Sequence, residues 1–183
     1  MSTKTSGNNF FEINGKRNVE MGTSEHDLVE IPIFIIFKRS KRFEEWFRIF
    51  KKYKDFRPNV FTSVNFKNME LYKRFITRQQ YNFNELANLF EICYYLKDKD
   101  AYLLSERIVF FVSVCNMDIK EAFRYLQLIY YTEYRNQFIK LLYAIYIKYD
   151  NGVFLNELSY LPPPVITDIC GRISEYYVTN KIV

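Results

Sequence analysis

From Asn59 to Asn151 the chain contains neither glycine nor proline, the residues that tight hairpins use at their turns. The apolar positions in this stretch recur three and four residues apart, the period of a helix that buries one face. Leu86, Leu89, Phe90 and Cys93 share such a face, with Asn84 placed to cap it. Asp100 is positioned to cap a second helix running to about Cys115. Asp118 and Glu121 have the spacing of a capping box, and Ala122, Tyr125, Leu126 and Ile129 follow at helical spacing. Thr132 opens a long segment carrying Phe138, Leu141, Leu142, Ile145 and Tyr149. The short break before it predicts two adjacent antiparallel helices. Asn151-Gly152 is read as the end of this array, and Pro162 to Pro164 precede a last helix from about Val165 to Tyr177.

The N-terminal part has a different pattern. Residues 1–27 hold three of the five glycines, many polar residues and no periodicity, and are read as a flexible tail with a short apolar island at residues 8–15. Leu28 to Phe37 and Val60 to Val64 are rich in β-branched and aromatic residues, so both are candidate strands. The expected fold is mainly α. A single compact helical domain spans residues 28–183, with at most a small β-sheet near its N-terminal part.

Composition sharpens this picture in two places. Of 183 residues, 49% are hydrophobic and 26% charged, which is globular composition, and 19% are aromatic. A core built from 18 Phe and 16 Tyr brings hydroxyls that need partners when buried. Cys93, Cys115 and Cys170 are odd in number, far apart and set in apolar stretches. They are read as reduced core thiols. The longest apolar run, Ile31 to Phe37, is interrupted by Pro32 and falls short of the roughly 20 residues a membrane-spanning helix needs. A cytoplasmic or nuclear location is expected.

The residues of common catalytic centres are sparse. A nucleophile needs a positioned base, usually histidine, and the single histidine, His26, lies in the expected tail. One histidine and no paired cysteines argue against a zinc site. The five glycines never form a phosphate-binding loop. No catalytic residue, metal ligand or cofactor is therefore assigned.

Charge, by contrast, is concentrated. Lys38 to Arg57 holds nine basic and three acidic residues, a net +6 in a chain of net +5, so the remainder sums to −1. Phe43, Trp46, Phe47, Phe50 and Tyr53 form an aromatic stripe at helical spacing, and Lys41, Arg48, Lys51 and Lys52 fall mostly opposite. This predicts one amphipathic helix with a cationic outer face. That face has three readings: a solubilising surface, a phosphate-contacting surface, or a patch for an anionic membrane or acidic protein. As a nucleic-acid surface it comprises Lys38, Arg39, Lys41, Arg42, Arg48, Lys51, Lys52 and Lys54. These cations would contact phosphates with little base readout. The resulting expectation is a non-catalytic factor that docks on RNA within a large ribonucleoprotein such as the ribosome.

A second reading comes from local motifs. In residues 36–47, IFKRSKRFEEWF, an aliphatic residue precedes a serine that is followed three positions on by phenylalanine. Through Ile36, Ser40, Phe43 and Phe47 the segment resembles the early helical part of BTB/POZ domains. Leu86 to Leu96 is similar to that family's apolar helix ending in Tyr-Leu. Phe154-Leu155 with Leu161-Pro162 resembles the BACK extension that often follows it. The resemblance implies a protein–protein interaction adaptor that forms a homodimer or grips a cullin-type partner.

Overall fold

The computed structural model describes residues 11–14, 18–22, 28–53 and 66–180. Among them the chain is mainly α-helical, as the glycine- and proline-free stretch implies. It divides into two compact units, Met1–Ala101 and Tyr102–Val183, where the sequence reading expects one domain from residue 28.

The first unit opens with an antiparallel three-stranded sheet in the order β1 (Phe11–Asn14), β2 (Asn18–Gly22), β3 (Leu28–Pro32). Phe11 pairs with Met21 and Asn14 with Asn18. Gly22 pairs with Leu28 and Asn18 with Pro32. The first two strands fall inside the stretch 1–27 read as tail, which showed no extended alternation because each strand is only four or five residues long. In β3, Val29 and Ile31 are fully buried while Glu30 is exposed, the two-residue period of a strand with one covered face. The candidate strand Leu28 to Phe37 is thus strand only as far as Pro32. The second candidate, Val60 to Val64, lies outside the described residues.

Helix α1 (Ile33–Arg39) follows β3 directly and packs on it, and α2 (Lys41–Lys52) follows after one residue, Ser40. Within its described residues 38–53, the amphipathic segment read as a single helix over 38–57 is therefore divided between two helices. Helix α3 (Phe66–Ile76) packs on β3 and on α4 (Leu86–Tyr95). Leu86, Leu89, Phe90 and Cys93 are all buried, as their spacing predicts. The cap differs by two positions. Asn82, not Asn84, forms a reciprocal capping box with Glu85 around a single 3-10 turn that leads into α4.

Both α3 and α4 end on a residue with positive φ that is not glycine, Arg78 at 64° and Lys97 at 51°. After α3, the Arg78 amide donates to the Phe75 carbonyl (3.1 Å) and the Gln79 amide to that of Arg74 (2.8 Å). After α4, the Lys97 amide donates to the Tyr94 carbonyl (3.0 Å) and the Asp98 amide to that of Cys93 (2.8 Å). These are Schellman terminations, which usually place glycine at the left-handed position. The lack of glycine in this stretch therefore does not prevent sharp turns; two basic residues accept the strained conformation.

The second unit contains most of α5 (Ala101–Val114), then α6 (Ile119–Tyr130), α7 (Arg135–Lys148), α8 (Asn151–Leu158) and α9 (Pro163–Asn180). Helix α6 packs on α7 and α8, and α7 also on α8 and α9. Ala122, Tyr125, Leu126, Ile129, Phe138, Leu141, Leu142 and Ile145 are buried, the faces read from their spacing. Asp118 caps α6 by accepting from the Lys120 amide (2.7 Å). Thr132 does not open α7; its hydroxyl donates back to the Ile129 carbonyl (2.7 Å), and the helix starts at Arg135.

Asn151-Gly152 begins a helix rather than ending the array, because the preceding Asp150 caps it through the Gly152 amide (2.7 Å). The last helix starts with Pro163 and Pro164 in its first turn, where a missing N–H costs nothing. Two polar side chains finish the α5 end. Lys148 Nζ donates to the Val112 carbonyl (2.7 Å) and to that of Cys115, and the Tyr149 hydroxyl to that of Met117 (2.8 Å). The three cysteines are free, but only Cys93 is a core thiol; Cys115 is half-buried and Cys170 exposed. Cys170 lies on the outward side of α9, whose buried face is carried by Val165 and Ile169.

Candidate interaction surface

Ser40 organises the join between α1 and α2. Its hydroxyl accepts from the Phe43 amide (3.0 Å), which caps α2, and donates to the Leu96 carbonyl (2.6 Å). Around it a short antiparallel bridge pairs Ser40 with Asp98. The Lys99 amide donates to the Arg39 carbonyl (3.1 Å), and the Lys41 amide to that of Lys97 (3.3 Å). One buried serine thus starts a helix and ties it to the turn after α4.

Beside this bridge lies a polar group with several partners. The Asp98 side chain is fully buried and accepts four hydrogen bonds. Arg39 reaches it through Nε (3.0 Å) and Nη2 (3.1 Å), the Tyr72 hydroxyl lies at 2.8 Å, and the Asp100 amide at 2.9 Å. Arg39 also bonds Asp100 (2.7 Å), and its guanidinium lies over the Phe75 ring at 4.9 Å. Burial alone would lower the Arg39 pKa, but the bonds and charges of Asp98 and Asp100 outweigh it and hold the cation more firmly than usual. Burial, then the Asp98 charge, pushes the Tyr72 hydroxyl well above its ordinary range. Burial does the same to the Cys93 thiol.

This geometry sorts the eight cations assigned to the basic patch. Arg39 is withdrawn from it, consumed by two carboxylates and a ring. Arg42 is half-buried, its guanidinium 4.5 Å from the Tyr95 ring centroid. Arg48 is exposed and paired with Glu44 one turn back. Lys38, Lys41, Lys51 and Lys52 are exposed; Lys51 Nζ lies over the Phe47 ring (4.8 Å) and Lys52 Nζ over that of Tyr53 (5.2 Å). Lys54 lies outside the described residues. Glu45, the other acid of α2, pairs with Lys97 (3.3 Å).

The aromatic stripe divides as well. Phe43 is fully buried, and Trp46 and Phe47 are half-buried. Phe37 meets both Phe43 and Phe47 edge-to-face, with centroids 5.1 and 4.6 Å apart. Tyr53 points outward at 58% exposure, next to Ile49 at 40%. Local spacing finds the outward lysines. It does not find Asp98, Asp100 and Tyr95, which claim the arginines from distant positions and carry no local signal.

His26 lies outside the described residues. Among the described residues no three His, Cys, Asp or Glu side chains group as metal ligands, and no helix is long and apolar enough to cross a membrane. No family model, curated protein or solved structure matches the chain.

Proposed function

We propose that the chain is a non-catalytic protein–protein interaction adaptor of BTB/POZ-like build, which dimerises or engages a cullin-type partner. One observation carries this reading. Of the four residues through which segment 36–47 resembles that family, Ile36, Ser40 and Phe43 are buried at the α1–α2 junction and Phe47 is half-buried. Ser40 there bonds to the end of the Leu86 to Leu96 segment that carries the second part of the resemblance. Phe154 and Leu161, from the third part, are likewise buried.

The test is mass measurement by light scattering after size exclusion, at about 0.1 M and about 1 M salt, with and without an immobilised cullin N-terminal segment. An apolar interface predicts a dimer or a captured complex that survives high salt, because screening weakens exposed charge pairs and leaves apolar contact intact. A monomer at both salt concentrations that is not captured overturns the proposal.

Docking on a ribonucleoprotein is favoured by one observation, the outward placement of Lys38, Lys41, Lys51 and Lys52. It predicts salt-sensitive co-sedimentation with ribosomes on sucrose gradients. Recovery only in light fractions at low salt overturns it.

A further inference from the structure

Helix α5 is apolar on two opposite faces. Leu104, Ile108 and Val112 are buried, whereas Leu103, Phe110 and Val114 stand open at 44%, 67% and 60% exposure. A helix that is apolar all round is normally covered all round. The outward residues fall at 103, 107, 110 and 114, in alternating steps of four and three, so together with Arg107 they form one stripe along the helix. The helix is also anchored at both ends. The Gln137 side chain donates to the Tyr102 hydroxyl (2.7 Å), the Tyr102 ring meets that of Tyr134 edge-to-face, and Lys148 closes the far end on the Val112 carbonyl (2.7 Å). The stripe is therefore preformed, which lowers the cost of docking on it.

We infer that this face is where two copies of the chain pair, with their α5 helices side by side and parallel. The inference rests on the dimer branch of the adaptor reading and deepens it by naming the face. Steps of four and three average 3.5 residues, the period that keeps one seam of a helix against a like helix. In a parallel pair Leu103, Phe110 and Val114 each meet their own copies.

Charge selects the orientation. At about 100° per residue, Glu106 and Arg107 fall on opposite edges of the stripe. A two-fold axis along the helices brings the Glu106 edge of one copy to the Arg107 edge of the other. An antiparallel pair instead sets each edge against itself. Arg107 also engages its own chain, but Glu106 alone disfavours the antiparallel pair, which places it on the same edge as its copy.

Other occupants fit less well. The stripe carries one acid and one base, so no net charge draws an acidic or a basic segment, and phosphates meet a single cation. A lipid surface needs a wide apolar face rimmed by cations, and this stripe is narrow with a carboxylate on its edge. The open parts of Leu103, Phe110 and Val114 come to roughly 300 to 400 Å² from the usual areas of such side chains, below the roughly 800 Å² per partner of a standard complex. The pairing is accordingly weak and concentration-dependent.

Sedimentation equilibrium of the full chain from about 5 to about 500 µM, the range that reveals a Kd of tens of micromolar, should show a monomer–dimer equilibrium. Phe110→Glu sets two carboxylates in the seam and should weaken the dimer at least about tenfold, the size of a hot-spot loss. Leu103→Ser should shift it in the same direction, and circular dichroism melts check that both variants fold. Orientation is read by cross-linking in a Cys115→Ser/Cys170→Ser background, which retains only the buried Cys93. With diamide as oxidant, Leu103→Cys should form a disulfide-linked dimer that Phe110→Glu suppresses. A mixture of Leu103→Cys and Val114→Cys chains should give the two self-linked products and little of the mixed one.

A monomer at every concentration, a dimer unchanged by Phe110→Glu and Leu103→Ser, or a predominance of the mixed cross-link overturns the inference. The adaptor reading fails separately. A dimer that ignores both variants, or a monomer captured by the cullin segment, leaves that reading standing, whereas a monomer that is not captured overturns both.

Discussion

The Tyr72 hydroxyl donates to Asp98 Oδ2 at 2.8 Å, across 26 positions of sequence. It is one of four bonds that satisfy a carboxylate with no solvent exposure. Removing one partner of such a group costs more than the bond itself, because the other is left charged and desolvated.

Arg39→Met should therefore destabilise the chain by about 3 to 5 kcal/mol, because it strands the fully buried Asp98, and Asp98→Ala by a similar or smaller amount, because Arg39 keeps some solvent contact and its bond to Asp100. The double variant Arg39→Met/Asp98→Ala should recover part of the loss, since neither member of the pair is left as a stranded charge. Urea unfolding followed by circular dichroism gives the three values, and the non-additivity of the double-variant cycle is the deciding quantity. Additive losses would mean that the pair does not act as a unit.

Stability should fall at alkaline pH through the same cluster. The Tyr72 pKa is raised in the folded chain, mainly by burial, so above about pH 10 the unfolded chain releases a proton that the folded chain retains. The unfolded state then binds fewer protons, and stability declines with pH until the folded hydroxyl also ionises. Cys93, raised by burial, adds a decline from about pH 9 upward. Tyr72→Phe should flatten the fall above pH 10, as read from melting temperatures across a pH series. An unchanged slope would remove Tyr72 as its source.

Arg78 is exposed and held at φ 64°, a conformation that costs a residue with a Cβ about 1 kcal/mol or more. Arg78→Gly should relieve this strain and, after the greater unfolded-state entropy of glycine is counted, raise the melting temperature by roughly 1 to 3 °C. Arg78→Val should lower it. Differential scanning calorimetry compares the two, and a lower melting temperature for the glycine variant would show that the turn after α3 is unstrained.

Thiol reactivity should separate the cysteines by position. With a disulfide reagent in native buffer, Cys170 reacts first, Cys115 more slowly, and Cys93 only on unfolding, because burial holds its thiol protonated and inaccessible. Single Cys→Ser variants assign the phases. A fast phase that survives Cys170→Ser would place a different thiol at the surface.

What the sequence determined alone is the helical character and the inward faces of the helices. The information is local: Leu86, Leu89, Phe90 and Cys93, or Phe138, Leu141, Leu142 and Ile145, repeat with the period of the structure that buries them. The outward direction of Lys41, Arg48, Lys51 and Lys52 follows from the same period. What only the tertiary structure decided is which charges remain available.

Lys38 and Arg39 are neighbours of equal charge in the sequence, yet one faces solvent while the other is locked to Asp98, 59 positions away. The split of the 38–57 segment at Ser40 was likewise invisible. A serine there reads as an ordinary helix residue until the Leu96 carbonyl is brought within 2.6 Å of its hydroxyl. Periodicity records which side of a helix meets the core, whereas pairing between distant polar groups depends on where the chain returns, and no local pattern encodes that.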